Sequence, residues 1–203
     1  MSDFWKLSDG TDVEATDSFD AGGGEIELIP AGAQLLAAID EAKWDRNTGG
    51  DKYITVRWTV LQPEELSNRK LFQKMWVDDF DPDTLDEHKN PTAKSVTKKD
   101  KAKRMLMAID ANAGGKLAAK GAMPTDIDLT SSLTMKPMVI KVQVWKQKNR
   151  ETGEPMSGNW IGAVGPKTTP RTSSEELAKL QASQAKAAGG RGSNNKLDDE
   201  IPF

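Results

Sequence analysis

The sequence predicts a mainly β domain: five strands, one helix between the third and fourth, and a C-terminal tail outside the fold. Three observations carry this. Residues 52–62, 69–78 and 138–147 alternate apolar and polar side chains with the period of two that a half-buried strand requires. A helical stripe (Ala102, Met105, Leu106, Ile109, Ala113) falls between the second and third of these runs. From Gly165 onward the composition shifts to Pro/Thr/Ser, then Gln/Ala/Lys, then Gly/Ser/Asn, which cannot bury enough apolar surface to order itself.

Residues 1–25 are polar and acidic apart from Phe4, Trp5 and Leu7, and end in Gly22-Gly23-Gly24; they read as a flexible arm. The domain is expected over 26–165. Ile26, Leu28 and Ile29 open an extended stretch that runs past Pro30 and Gly32 to Trp44, and Asn47-Thr48-Gly49-Gly50 is a turn. In the next strand Ile54, Val56, Trp58 and Val60 take the core face, leaving Tyr53, Thr55, Arg57 and Thr59 on the other. In 69–78, Leu71, Met75 and Val77 face the core, with Gln73 among them, and Phe72, Lys74 and Trp76 face away. Residues 79–96 form a loop. Thr97 with Asp100 reads as the capping box of the helix, and Gly114-Gly115 ends it. Residues 116–135 read as irregular. Met138, Ile140, Val142 and Val144 then face the core, opposite Lys141, Gln143, Trp145 and Gln147. Residues 149–158 are a hairpin loop and 159–164 a last strand. The stretch 166–195 reads as a flexible linker. Ser174 to Ala188 has helical character, but Leu177 and Leu180 offer little to pack. This element order is that of the OB-fold, a five-stranded barrel that binds oligonucleotides or oligosaccharides; a separate α+β sheet domain shares it.

Composition narrows the chemistry. The 203 residues carry a net charge of −3, no Cys and one His. Thiolate metal sites, disulfides and His pairs are thereby excluded, and no phosphate-loop glycine pattern is present. Asp78, Asp79, Asp81 and Asp83 are the only carboxylate run with a metal-binding look, and they sit in a loop. No cofactor is expected, and no enzyme activity. No run approaches the length of a transmembrane helix, and no apolar signal core opens the chain, which points to the cytoplasm. Without the three acids at residues 198–200, the 28 remaining acids balance 28 bases. A local basic groove is allowed; a globally basic surface is not.

Sequence-tolerant binding of single strands needs aromatic faces for bases and cations for phosphates. Six Trp in this chain is a high count. Parity assigns Trp58 to the core, and Trp76 and Trp145 to outward faces beside Lys74 and Lys141. Tyr53, Arg57 and Phe72 share that side, and Trp44 precedes the Gly-rich turn. Arg69, Lys70, Lys146, Lys148 and Arg150 sit at strand ends and loops within reach of a backbone phosphate.

The last eight residues, Lys196 to Phe203, place Asp198-Asp199-Glu200 before Ile201-Pro202-Phe203. Pro202 favours an extended residue before it. A carboxylate-rich end carrying an aromatic plug suits a basic-rimmed pocket on a partner. This tip resembles that of bacterial and phage single-stranded DNA-binding proteins. Over residues 34–165 the pattern also resembles small phage proteins of that kind: the Trp44-to-Tyr53 hairpin, the Arg69-Lys70-Leu71-Phe72 strand opening, the Pro137-to-Val144 strand and the Gly153-to-Asn159 hairpin. The resemblance implies an OB-like domain that coats single-stranded DNA in phage replication, recombination and repair inside an infected bacterium. It implies that residues 198–203 recruit partner enzymes. Bases cluster in residues 89–104 and 136–150, and their charge complementarity to the tip suggests that the acidic tip competes for the basic groove when DNA is absent. A protein-interaction adaptor and an RNA-binding or strand-annealing protein are the alternatives, and a second copy of the chain is an open partner.

Overall fold

The computed structural model describes residues 27–148 and 152–189. The arm expected over 1–25, Arg150 and the tip lie outside the described residues. Five strands form one antiparallel sheet: β1 (Gln34–Arg46), β2 (Lys52–Gln62), β3 (Lys70–Met75), β4 (Met138–Lys148) and β5 (Pro155–Gly165). Their order is β3-β2-β1-β4-β5. β1 is the hinge of this arrangement. Its first residues pair with β4 (Gln34 with Lys141, Ala37 with Met138) and its remainder with β2 (Trp44 with Ile54). Register shifts after Leu36 and after Ile39 bend it between its two partners. The edge strands β3 and β5 come into contact, but no ladder of hydrogen bonds joins them.

The core fills one side of the sheet. Ile54, Val56, Trp58 and Val60 are buried as their alternation predicts, as are Leu71, Met75, Met138, Ile140 and Val142. Trp58 donates its indole N–H to Gln73 at 3.2 Å, which explains the polar residue on the core side of β3. Helix α1 (Ala93–Ala113) lies against both edge strands and inserts Ala102, Met105 and Ile109.

α1 is capped five residues before the expected Thr97. Its N-cap is Thr92, in a reciprocal box with Ser95: the Thr92 N–H donates to Ser95 Oγ at 2.7 Å, and the Ser95 N–H to Thr92 Oγ1 at 3.1 Å. Thr97 instead bonds back to the Ala93 carbonyl. The extra turn carries Lys98 inward, where it pairs with Asp81 in a nearly dry site. Gly114 ends the helix at φ 115°, as expected.

Residues 116–135 are not irregular. They hold α2 (Lys116–Lys120) and α3 (Asp126–Leu133). Asp110 accepts the Leu117 and Ala118 N–H groups at 3.0 and 2.8 Å, and so starts α2. Thr125 and Asp128 form the box that starts α3, and Leu129 and Leu133 bury one turn apart. β5 begins at Pro155 rather than 159, because β4 pairs outward as far as Lys148 with Pro155.

The expected linker is also corrected in its first part. Thr172 pairs with Gln34, its N–H donating to the Gln34 carbonyl at 2.9 Å and its hydroxyl accepting the Gln34 N–H at 2.8 Å. Helix α4 (Ser174–Gly189) follows, with Leu177 4% exposed within the main core and Leu180 packed beside it. Two leucines suffice because an existing domain supplies the partner surface. Among the described residues no helix is long and apolar enough to cross a membrane.

Candidate nucleic-acid interface

The outward face of β1–β2–β3 is laid out in cross-strand rows. Glu41, Arg57 and Phe72 make one row, and Lys43, Thr55 and Lys74 the next; Asp45 and Tyr53 begin a third. Phe72 is 67% exposed, because its parity on edge strand β3 turns the ring away from the core. An exposed phenyl ring flanked by Arg57 and Lys74 can stack a base while the cations meet its phosphates.

Trp76 does not offer a free face. It follows the end of β3 and folds onto Tyr53, with ring centroids 4.8 Å apart and planes at 50°, and is 7% exposed. Tyr53 is buried as well. Its hydroxyl donates to Asp45 at 3.2 Å, and Lys74 Nζ stands 4.9 Å from its ring centroid. These two rings therefore form a satellite cluster that positions Lys74 rather than two open platforms.

Two of the expected cations are already paired. Arg57 contacts Glu41 at 3.2 Å and Asp40 at 3.7 Å, and Lys70 contacts Asp40 at 2.5 Å, with the Thr59 hydroxyl donating to the same carboxylate. The Lys70 hydrogen bond, then that of Thr59, holds the Asp40 carboxyl below its ordinary 3.8. Arg57 thus reaches this face partly neutralised. Arg69 is elsewhere: its guanidinium donates to the Glu27 carbonyl, and burial lowers its pKa against the pull of Glu27. Trp44 also leaves the interface. Its indole N–H donates to the Pro124 carbonyl at 2.8 Å, and its ring borders a cavity of about 460 Å³ with Asp45, Arg46, Lys52 and Met123.

The β4–β5 ribbon carries the second group. Lys141, Gln143, Trp145 and Gln147 share its outward face with Met156, Gly158 and Trp160 of β5. Trp145 is half-buried and Lys141 exposed. Lys146 and Lys148 have the opposite parity but are exposed, because the ribbon runs beyond its pairing with β1. The structure thus keeps Arg57, Phe72 and Lys74 on one face and Lys141 and Trp145 on the ribbon, while Trp44, Tyr53 and Trp76 serve packing and Arg69 is tied to the Glu27 carbonyl. It adds Trp160, and Lys43, whose position the bulges of β1 hid from parity and whose amine is paired with Glu41 at 2.6 Å.

The carboxylates of the 78–83 loop do not converge on a point. Asp79 accepts the Lys52 N–H at 2.6 Å, and Asp81 pairs with Lys98. Among the described residues no group of three His, Asp or Glu side chains is placed to hold a metal ion. No protein-family model matches the chain, and no curated protein sequence does.

Proposed function

We propose that this protein is a sequence-independent single-stranded DNA-binding protein whose domain is an OB-like barrel. The strand order, the bent β1 shared by two partners and the helix laid against both edge strands support that architecture. The observation that carries the function is Phe72, an exposed ring on the β2–β3 face with Arg57 across from it and Lys74 in the next row. Stacking on Phe72 and Trp145 and phosphate contacts from Lys74 and Lys141 recognise features common to every base and every nucleotide, so no base-edge readout is needed. The protein binds rather than transforms its ligand, in phage replication, recombination and repair within the bacterial cytoplasm. Residues 198–203 recruit replication and repair enzymes.

Titration of intrinsic tryptophan fluorescence with oligo-dT, at low and high salt, tests this. It is run on the full chain and on a version lacking residues 197–203. Quenching that weakens with salt is expected, and tightening without the tip supports competition between tip and DNA. Absence of quenching, with no retention of a labelled oligonucleotide, overturns the proposal. Preference for oligo-U over oligo-dT reassigns the ligand to RNA.

A further inference from the structure

Glycine within a strand weakens it and marks close approach of another group. β5 has glycines at 158, 162 and 165. Gly158 and Gly162 lie outside the left-handed region, so their backbones do not call for glycine. What Gly158 supplies is room. The indole of Trp145 crosses from β4 onto the residue opposite it, and a Cβ at position 158 would lie 2.7 Å from each of Nε1, Cε2 and Cζ2. No real Cβ contact is that short. A side chain at 158 forces the indole to another rotamer, off the ribbon.

The core does not need this arrangement. Trp145 stands on the face opposite Val142 and Ile161, which supply the buried side of the ribbon, and it is no part of the main cluster. The next row on the same outward face pairs Gln143 with Trp160, and there too the glycine at 162 leaves room, a Cβ lying 2.9 Å from Gln143 Cγ and 3.5 Å from the Trp160 ring. Lys141 follows one row on. The ribbon therefore holds large side chains down on β5 along a face that remains partly open to solvent.

We infer that the outward face of β4–β5 is a shelf for unpaired nucleobases, distinct from the Phe72 face, and that Gly158 is the positioning residue that holds Trp145 in its stacking orientation. This rests on the single-strand-binding reading above. Trp145 touches the base, and Gly158 acts only through Trp145.

The test is a double-mutant cycle on the full chain, using Trp145→Ala, Gly158→Ala and the combination, read by anisotropy of a labelled oligo-dT with thermal melts alongside. Trp145→Ala is expected to weaken binding about tenfold. Gly158→Ala is expected to weaken it by a similar factor. The combined variant is expected to bind no more weakly than Trp145→Ala, because the indole that Gly158 positions is gone. Loss of melting temperature in Gly158→Ala that the combined variant restores, with binding still weak, gives the same assignment. Unchanged binding in Trp145→Ala removes the shelf. Unchanged binding in Gly158→Ala, or losses that multiply in the combined variant, removes the positioning role while oligonucleotide binding by the wild type stands. A wild type that binds no oligonucleotide overturns the single-strand reading itself, and the shelf with it.

Discussion

Phe72 and Trp76 have the same parity, four residues apart, and end up in opposite environments. Phe72 sits inside β3 with only Arg57 across from it; Trp76 comes just after the strand, where the chain turns and lays the ring on Tyr53. Their alanine variants should therefore separate. Phe72→Ala should leave the melting temperature unchanged and weaken oligonucleotide binding several-fold. Trp76→Ala should cost about 3 kcal/mol of stability, read by guanidinium unfolding, because it empties a packed aromatic pair. Asp128 gives a second contrast at this scale. Its hydrogen bonds from Lys120, then from the Thr125 N–H and hydroxyl, lower its pKa from 3.8 to about 2. A carboxyl depressed in the folded state contributes stability that is full above 3.8 and is lost as pH falls towards 2. Asp128→Asn should thus be less stable than the wild type at neutral pH, with the gap closing between about pH 4 and pH 2 in pH-dependent melts.

Among the elements, α4 departs furthest from its sequence reading. Composition marks residues 166–195 as linker, since two leucines in a polar, alanine-rich stretch cannot hold an isolated helix. The domain holds it instead, through the Thr172–Gln34 pairing and the burial of Leu177. Leu177→Ala should lower the unfolding free energy by about 2–3 kcal/mol, measured by guanidinium denaturation. An unchanged midpoint would return the segment to a tether. Helix starts show a different kind of miss. The Thr125-x-x-Asp128 box ahead of Leu129 and Leu133 was legible, and so was Thr92 just after Pro91. Thr97 with Asp100 resembles a cap equally well, and tertiary contacts distinguish the two starts: the Thr92 hydroxyl donates to the Thr84 carbonyl at 2.7 Å, and Lys98 settles on Asp81.

For the whole molecule, charge sets the expectation. The chain is net acidic, and Arg57 and Lys70 are held by Asp40 and Glu41. Lys43 is held by Glu41 at 2.6 Å as well, so the cations left on the outward faces are few: Lys74 and Lys141, with Lys146 and Lys148 at the ribbon's end. About four phosphate contacts give a slope of about −3 for log K against log salt on a single strand. Binding isotherms across a salt series should give that shallow slope, and Lys70→Ala should leave it unchanged. A slope twice as steep would mean that cations outside these two faces take part.

Sequence alone determined β2, β3 and β4 with their core faces, and the existence and end of the helix between β3 and β4, because an alternating pattern and a glycine stop act over a few neighbouring residues. It also identified Phe72, Lys74, Lys141 and Trp145 as outward-facing, since parity is a local property. Tertiary structure decided what covers an outward face. Tyr53 and Trp76 bury each other, Arg57 and Lys70 find carboxylates on β1, and Leu177 finds a core to enter. The bulges in β1 break parity at the strand both halves of the sheet share, so the register beyond Ile39 depends on which strand pairs there. Trp145 held against Gly158 is likewise a cross-strand fact: the two residues are thirteen apart in the chain, and only the β4–β5 register brings them face to face.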